Sequence, residues 1–558
     1  MIFLSRYPYK HWLVFLLMKL VIELLTVYLV IRIKVLSINY PGMKKSLLVI
    51  LLFVVCSVFA QQRPNIIYIM SDDHDDDAIS AYNKQFIQTP NIDRLAKEGI
   101  KFTKAFVGNS ICSPARATLL TGQHSHKSGV KDNRTPFDPN RENLAKLLQQ
   151  SGYQTALIGK WHLHSYPTGF DYWKILPGMG QYFDTRIIEM TGDTITERGY
   201  ATDVLTDNAI KWLDNRDRSK PFALFFHHKA PHRYFFPALK YLEQFSKKTF
   251  PEPSTLYADT AGRGTAWVKQ TMSILADMEL CSDLKINPSY LMDIPELKPS
   301  DQQVQYYNAI MKRVPDSLLK RYEEIFAERG KIIRDKKLRG KELLKYKYQW
   351  YMQDYMACIA SIDESIGRLL DHLDKEKLTE NTAVIYTSDQ GFYLGENGWF
   401  DKRFAYDVSM QTPLLVRWPG HIRPGSTSQA MVQNIDFAPT ILDLAGANVP
   451  GWMHGLSLKP VLTAEKKDLG RPYLYYHYYE FVRDHTVIPH LAIRGEDYKL
   501  IYFYTVNEWQ LYDLKKDPKE MNNLISSKKH RPVFEKLKKE LIRLRDQYDD
   551  HEPAGELR

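Results

Sequence analysis

Four short runs of apolar and β-branched residues, each closed by a polar cluster, constrain the fold most. They are Asn65-Ile-Ile-Tyr-Ile-Met70, Thr155-Ala-Leu-Ile158, Phe222-Ala-Leu-Phe-Phe226 and Thr382-Ala-Val-Ile-Tyr-Thr387. A strand with one wet face alternates apolar and polar residues, whereas a near-continuous apolar run needs cover on both faces. Helical patterns separate the runs, and strands alternating with helices predict a parallel sheet. The fold class expected is α/β: a large mixed, mostly parallel sheet sandwiched by helices. In such sheets chemistry collects beyond the C-terminal ends of the strands, where the unusual polar residues of this chain stand.

Between these runs the sequence reads as helix. Ile92 and Leu95 share one helical face, residues 240–350 are charged and mostly helical in pattern, and a long helix is expected from about Glu342 to Leu373 with Ile359, Ile362, Ile366, Leu369 and Leu370 aligned. After Pro450 the texture changes to aromatic, hairpin-like segments, Tyr473 to Tyr479 and Tyr498 to Tyr504, before a last amphipathic helix carrying Phe534, Leu537, Leu541 and Leu544. This predicts a main domain over residues 61–450 and a smaller C-terminal α+β subdomain over residues 451–558.

The formal net charge of the 558 residues is +10, and the first 60 residues carry +6 of it, with one acid, Glu23. Within that segment Met43-Lys44-Lys45, the apolar run Ser46 to Phe59 and the small-residue site before Gln61 have the layout of a secretory signal. Cleavage is expected after Ala60, with export to the periplasm or medium. Val55 precedes Cys56 where lipoprotein signals resemble one another in having Gly, Ala or Ser. Upstream, Trp12 to Ile31 is apolar but interrupted by Lys19 and Glu23; residues 1–42 read as an over-extended gene model, with a membrane anchor as the competing reading. No stable membrane insertion and no nucleic-acid partner are expected.

Two constellations carry chemistry. Ser71-Asp72-Asp73-His74 follows the first run directly, and Asp389-Gln390-Gly391 follows the last. An EF-hand loop starting at Asp73 is excluded, because Ala78 and Lys84 stand where Gly and Glu are needed. Alone, the acidic segment also fits a solvated loop. Together, the two strand ends make a hard-oxygen cage suited to Ca²⁺ or Mg²⁺ rather than Zn²⁺. The second constellation is Cys112-Ser-Pro-Ala-Arg-Ala-Thr-Leu-Leu-Thr-Gly122, in which the cysteine reads either as a buried thiol or as a nucleophile at a helix N-terminus.

The Cys112–Gly122 run resembles the signature of the sulfatases, formylglycine-dependent members of the alkaline phosphatase superfamily. Gly152 to His162 resembles their second signature, Pro231-His232 their Pro-His pair, Asp389-Gln-Gly391 with Lys402 their second metal segment and sulfate-binding lysine, and Trp509 to Leu514 with Asp517-Pro518 and Asn523-Leu524 their C-terminal block. The resemblance covers residues 63 to 530. Gln390 departs from the frequent Asn or His but keeps an amide oxygen.

The resemblance implies that Cys112 is oxidised to formylglycine (3-oxoalanine) by a formylglycine-generating or anaerobic sulfatase-maturing enzyme. It implies one Ca²⁺, with Mg²⁺ second, on Asp72, Asp73, Cys112, Asp389 and Gln390. Arg116 would hold the nucleophile, Lys160 and Lys402 the sulfate oxygens, His232 would protonate the leaving oxygen and His162 would act as base. His477, His485 and Arg494, in and after the Tyr/His-rich stretch, are candidates for sugar binding, with strand-pair packing as the alternative. The expected reaction is sulfate ester hydrolysis on a sulfated polysaccharide or oligosaccharide, glycosaminoglycan-type or an algal glycan such as ulvan. The alternatives are a phosphate or phosphonate ester hydrolase of the same superfamily, an unmodified glycan-binding relative, and a membrane phosphoryl transferase. Cys281 and Cys358 are expected as buried thiols, because Cys358 lies on the apolar face of the long helix, with pairing in an oxidising compartment as the alternative and no disulfide framework.

Overall fold

A ten-stranded sheet is the centre of the chain, in the order Ser426–Ser428, Ile100–Phe102, Leu414–Arg417, Thr382–Ser388, Asn65–Asp72, Phe222–Pro231, Gln154–Lys160, Tyr172–Leu176, Phe183–Glu189 and Thr194–Tyr200. The computed structural model describes residues 63–259, 263–480 and 485–557. The expected signal segment, the apolar stretch upstream of it and Cys56 lie outside the described residues.

Asn65–Asp72 runs parallel to both Phe222–Pro231 and Thr382–Ser388, and Gln154–Lys160 runs parallel to Phe222–Pro231. Antiparallel pairs are confined to the flanks, where Leu414–Arg417 and Phe183–Glu189 pair. The sheet is therefore mixed and mostly parallel, as the apolar runs predict. Alternation along the central strand feeds two cores: Ile67 and Ile69 point to one face, Ile66, Tyr68 and Met70 to the other.

The first face is covered by the long helix, Gly340–Lys375, which buries Ile359, Ile362, Ile366, Leu369 and Leu370. Burial of each such side chain contributes about 1.5–3 kcal/mol. This helix also caps a neighbour. Helix Pro90–Glu98 begins at Thr89, whose side chain makes no cap, and Asp363 takes that role from outside by accepting the amides of Asn91 and Ile92 at 3.0 and 2.8 Å. The other face is covered by Cys112–Thr121, Leu144–Gln150 and Phe437–Leu444.

A second, four-stranded antiparallel sheet follows, Tyr473–Tyr478, His490–Gly495, Tyr498–Phe503 and Glu508–Asp513. Helix Arg531–Gln547 packs on it through Phe534, Leu537, Leu541 and Leu544. Cys281 and Cys358 are both buried free thiols.

Four adjacent parallel strands end at one edge. Thr382–Ser388 stops just before Asp389, Asn65–Asp72 on Asp72, Phe222–Pro231 just before His232, and Gln154–Lys160 on Lys160. Gly159 makes the last of these possible. Its φ is +112°, and a Cβ there would stand 1.8 Å from the His227 carbonyl oxygen, so only glycine lets the two strands close and aim Lys160 inward.

Candidate active site

Cys112 is the first residue of helix Cys112–Thr121, behind Ile111 in an extended conformation with no side-chain cap. The partial positive charge of that helix end falls on the sulfur and favours an anion there. The thiol is fully buried, and burial pushes it well above the ordinary cysteine range despite Lys160 and Lys402 nearby. It donates to Asp72 Oδ1 at 3.4 Å and receives the Gln390 amide at 3.5 Å. An unmodified thiol here is a poor nucleophile, since it is the thiolate that attacks.

Three buried carboxylates, Asp72, Asp73 and Asp389, bring oxygen atoms within 4.8 Å of one another. Cations surround them. Lys160 pairs with Asp72, Lys402 grips Asp73, and Arg116 reaches Asp389 Oδ2 at 2.8 Å and Asp72 Oδ1 at 3.5 Å. Burial alone would raise Asp72, but Lys160, His232 and Arg116 hold it well below the usual carboxylate range. Asp389 is pushed up to about 7, by burial and then by the charge of Asp72, despite Arg116. Gln390 bonds Asp73 and Cys112 through its amide nitrogen, while its Oε1 is buried without a hydrogen-bond partner. Three carboxylates and an unsatisfied amide oxygen form a donor set made only of hard oxygens, which fits Ca²⁺.

The two histidines have different neighbours. His162 has its Nδ1 3.4 Å from Ser113 Oγ, next to Cys112 in the chain. Burial, followed by Lys160 and Arg116, lowers it to about 2, so it is neutral. His232 donates from Nδ1 to the Arg233 carbonyl at 2.7 Å, which turns Nε2 toward Asp73, 3.8 Å from Oδ2. Several residues here hold left-handed backbone conformations without being glycine, among them Asp73, His162, Asp401, Arg403 and His485; strain of this kind gathers at functional sites.

The site opens into a cavity of about 720 Å³ reached by His232, Lys402 and His485. His485 Nε2 lies 3.3 Å from Asp401 Oδ2. The structure does not bring the other two sugar-binding candidates there. His477 is 2% exposed and pairs with Asp550 at 2.7 Å. Arg494 is committed to Asp407 at 2.9 Å and lies over the Phe106 ring. For both, the packing alternative is the correct one. Asp401, Arg403, Arg233 and Lys229 line the cavity and were not singled out from the sequence; the available signal was their position beside Lys402 and His232.

The sulfatase family profile matches residues 64–447, and the profile described as N-sulphoglucosamine sulphohydrolase, C-terminal, matches residues 395–547. An N-acetylglucosamine-6-O-sulfatase of Bacteroides thetaiotaomicron is 46% identical over 88% of this chain and 88% of its own. An ulvan-active sulfatase of Formosa agariphila is 26% identical over 86% of this chain and 80% of its own. A protein solved in complex with its substrate D-glucosamine-2-N,6-O-disulfate superposes with a TM-score of 0.85 at 46% identity, covering 89% of this chain and all of the other. Fold and matches together define a hydrolase of the alkaline phosphatase-like superfamily. Within it, the chain belongs to the sulfatase family and is a sulfuric ester hydrolase.

Proposed function

We propose that this enzyme removes the 6-O-sulfate from glucosamine-type sugars of a glycosaminoglycan. The observation that carries the reading is the 46% identity, over 88% of both chains, to an N-acetylglucosamine-6-O-sulfatase. The 26% identical ulvan-active relative makes an algal glycan the weaker choice. The reading includes export after cleavage at Ala60, a catalytic part over residues 61–450, a C-terminal part over residues 451–558, and a maturing enzyme as partner.

Asp72, Asp73, Asp389, Gln390 and residue 112 would hold Ca²⁺, which when bound lowers the pKa of the attacking hydroxyl and polarises a sulfate oxygen. Cys112 oxidised to formylglycine would supply that hydroxyl from its hydrate, and a second one for release of sulfate.

The other residues position charge and protons. Arg116, fixed by Asp389 and by the Lys160 carbonyl at 2.7 Å, orients the hydrate. Lys160 and Lys402 turn from their carboxylates toward the sulfate oxygens as charge gathers on them. His232 presents Nε2 to the leaving oxygen. Burial and Lys160 hold it well below the ordinary histidine range, and an anionic ester entering beside it raises it again, so that the imidazolium forms where its proton is needed. His162, neutral beside Ser113, takes the proton of the second hydroxyl.

The test is sulfate release from a panel of monosulfated sugars, with an aryl phosphate in parallel. Release from N-acetylglucosamine 6-sulfate above 2-O- and 3-O-sulfated sugars is expected. A higher kcat/KM on the phosphate would reverse the reading in favour of phosphate ester hydrolysis.

A further inference from the structure

Hydrolysis of a sulfate monoester leaves a proton over, because the ester anion and water give an alcohol, a sulfate dianion and H⁺. In this chain that proton is set free away from solvent: Cys112, Asp72, Asp73 and Asp389 are all buried. His162, the base in the reading above on which this inference rests, cannot store it. Burial, then Lys160 and Arg116, lower His162 to about 2, so an imidazolium formed there has to pass its proton on. The large cavity beside His232 is taken by the sugar during turnover.

A second cavity, of about 280 Å³, opens on the other histidine. His162 lines it and not the large one, together with Trp161, His164 and Tyr166. Tyr166 is 57% exposed and His164 is exposed too, so this cavity meets solvent. His162 and His164 both hold left-handed backbone, with φ of +55° and +53°, a conformation uncommon for residues other than glycine. Leu163 between them is buried in the core, and the two imidazoles lie with ring centroids 5.6 Å apart, within reach of a proton passed directly or through one water.

His164 is itself anchored to the nucleophile's helix. Its Nε2 donates to the Asn133 carbonyl at 2.6 Å, which leaves Nδ1 as the acceptor. Asn133 Oδ1 takes the amide of Ser113, the residue after Cys112, at 3.0 Å, and Ser113 Oγ lies 3.4 Å from His162 Nδ1. A closed chain of contacts thus joins both histidines to the start of helix Cys112–Thr121.

We propose that His164 and the smaller cavity are the proton exit of this enzyme: His164 Nδ1 takes over the proton that His162 removes from the second hydroxyl and releases it to solvent, on a path separate from that of the sugar. The step moves a proton and nothing else. The O–H electron pair stays with the oxygen and expels sulfate, and both imidazoles return to their starting state.

His164→Asn tests this, because asparagine tolerates left-handed backbone and its amide still offers a donor to Asn133. Sulfate release by the matured enzyme is measured in a dilute, bulky buffer and then with added imidazole, a small proton carrier. In the dilute buffer kcat should fall by roughly ten-fold or more, with KM within about two-fold; the loss stays below that of a group at the reacting atom because water carries part of the flux. Imidazole should restore kcat in proportion to its concentration and leave the wild type unchanged. His164→Gly, free of the backbone cost, should lose and regain rate in the same way. An unchanged kcat in these variants, or a loss that imidazole does not repair, as a merely structural role would give, would overturn the proposal. Near-full turnover by His162→Gln would overturn it from the other side, by removing the base itself.

Discussion

Lys402 grips both carboxylate oxygens of Asp73, each at 2.7 Å, and both side chains are buried. Truncating one member of a buried ion pair leaves the other charge uncompensated, at a cost of about 3–5 kcal/mol. Lys402→Met is expected to lower stability by that order without metal. Saturating Ca²⁺ should restore most of it by giving Asp73 a new cation. Urea unfolding with calcium and with a chelator measures both; a Lys402→Met protein as stable as the wild type in chelator would show that Asp73 does not depend on this pair.

Calcium itself should stabilise the wild type by mass action, about 2.7 kcal/mol at a hundred-fold excess over Kd. Asp389→Asn and Asp72→Ala should remove most of that gain and lower the metal content. A thermal shift series against calcium concentration is the direct measurement. Unchanged calcium stoichiometry in Asp72→Ala would take it out of the ligand set.

Cys112 has no exposed surface and a thiol held high by burial. Unmodified protein should therefore resist alkylation at residue 112 when folded and react once denatured. Matured protein should not react as a thiol at residue 112, and the peptide spanning it should be lighter by about 18 Da, the thiol-to-aldehyde difference. Cys112→Ala should abolish turnover and keep the fold. Mass spectrometry of the peptide spanning residue 112 and circular dichroism of the variant test these outcomes, and turnover by Cys112→Ala would remove Cys112 as the nucleophile.

Stability should fall in mild acid for a reason remote from the active site. His490 donates from Nδ1 to the Ile488 carbonyl at 2.7 Å and accepts the Ala405 amide on Nε2 at 3.0 Å, so it has no place for a second proton. Burial lowers both His490 and His228 to about 3. The unfolded chain takes up these protons near pH 6.5. The full contribution is present above that pH, and each histidine removes about 1.4 kcal/mol per pH unit as pH falls toward 3. Urea midpoints at pH 7.5 and 5.5 should differ accordingly, and His490→Gln should flatten the slope. An unaltered slope in that variant would mean that other groups govern it.

Asp363→Ala should cost about 2 kcal/mol, because two amides at the start of helix Pro90–Glu98 lose their acceptor. Asp363→Asn keeps one acceptor oxygen and should lose less. Equal losses would assign the effect to packing at Asn91 and Gly367, which touch closely.

The sheet and the edge where the candidate site residues gather were legible because both follow from local pattern: apolar runs with polar ends, and short motifs whose residues stand within a few positions of a strand end. His477 and Arg494 show where this stops. A strand rich in Tyr and His looks the same in sequence whether it lines a cavity or packs against Asp550 and Asp407, since the partner, 73 or 87 positions away, decides. Lys229 failed for the opposite reason. Its residue type is ordinary, and only its place on the cavity wall, without an ion-paired carboxylate among the described residues, sets it apart. The cap from Asp363 to Asn91 likewise joins residues 272 positions apart.

The burial of Cys112 also sets an order of events. Its neighbours Asp72 and Gln390 lie 40 and 278 positions away in the chain, so the pocket closes only when two strands far apart in sequence, Asn65–Asp72 and Thr382–Ser388, have paired in the main sheet. Contacts of such separation form slowly, because chain entropy has to be lost before they reward it. A maturing enzyme of the kind proposed above would have that interval to act, and a chain that closed first would keep its thiol. Under that proposal the fraction of active molecules would be set by a race during synthesis rather than by an equilibrium of the finished protein.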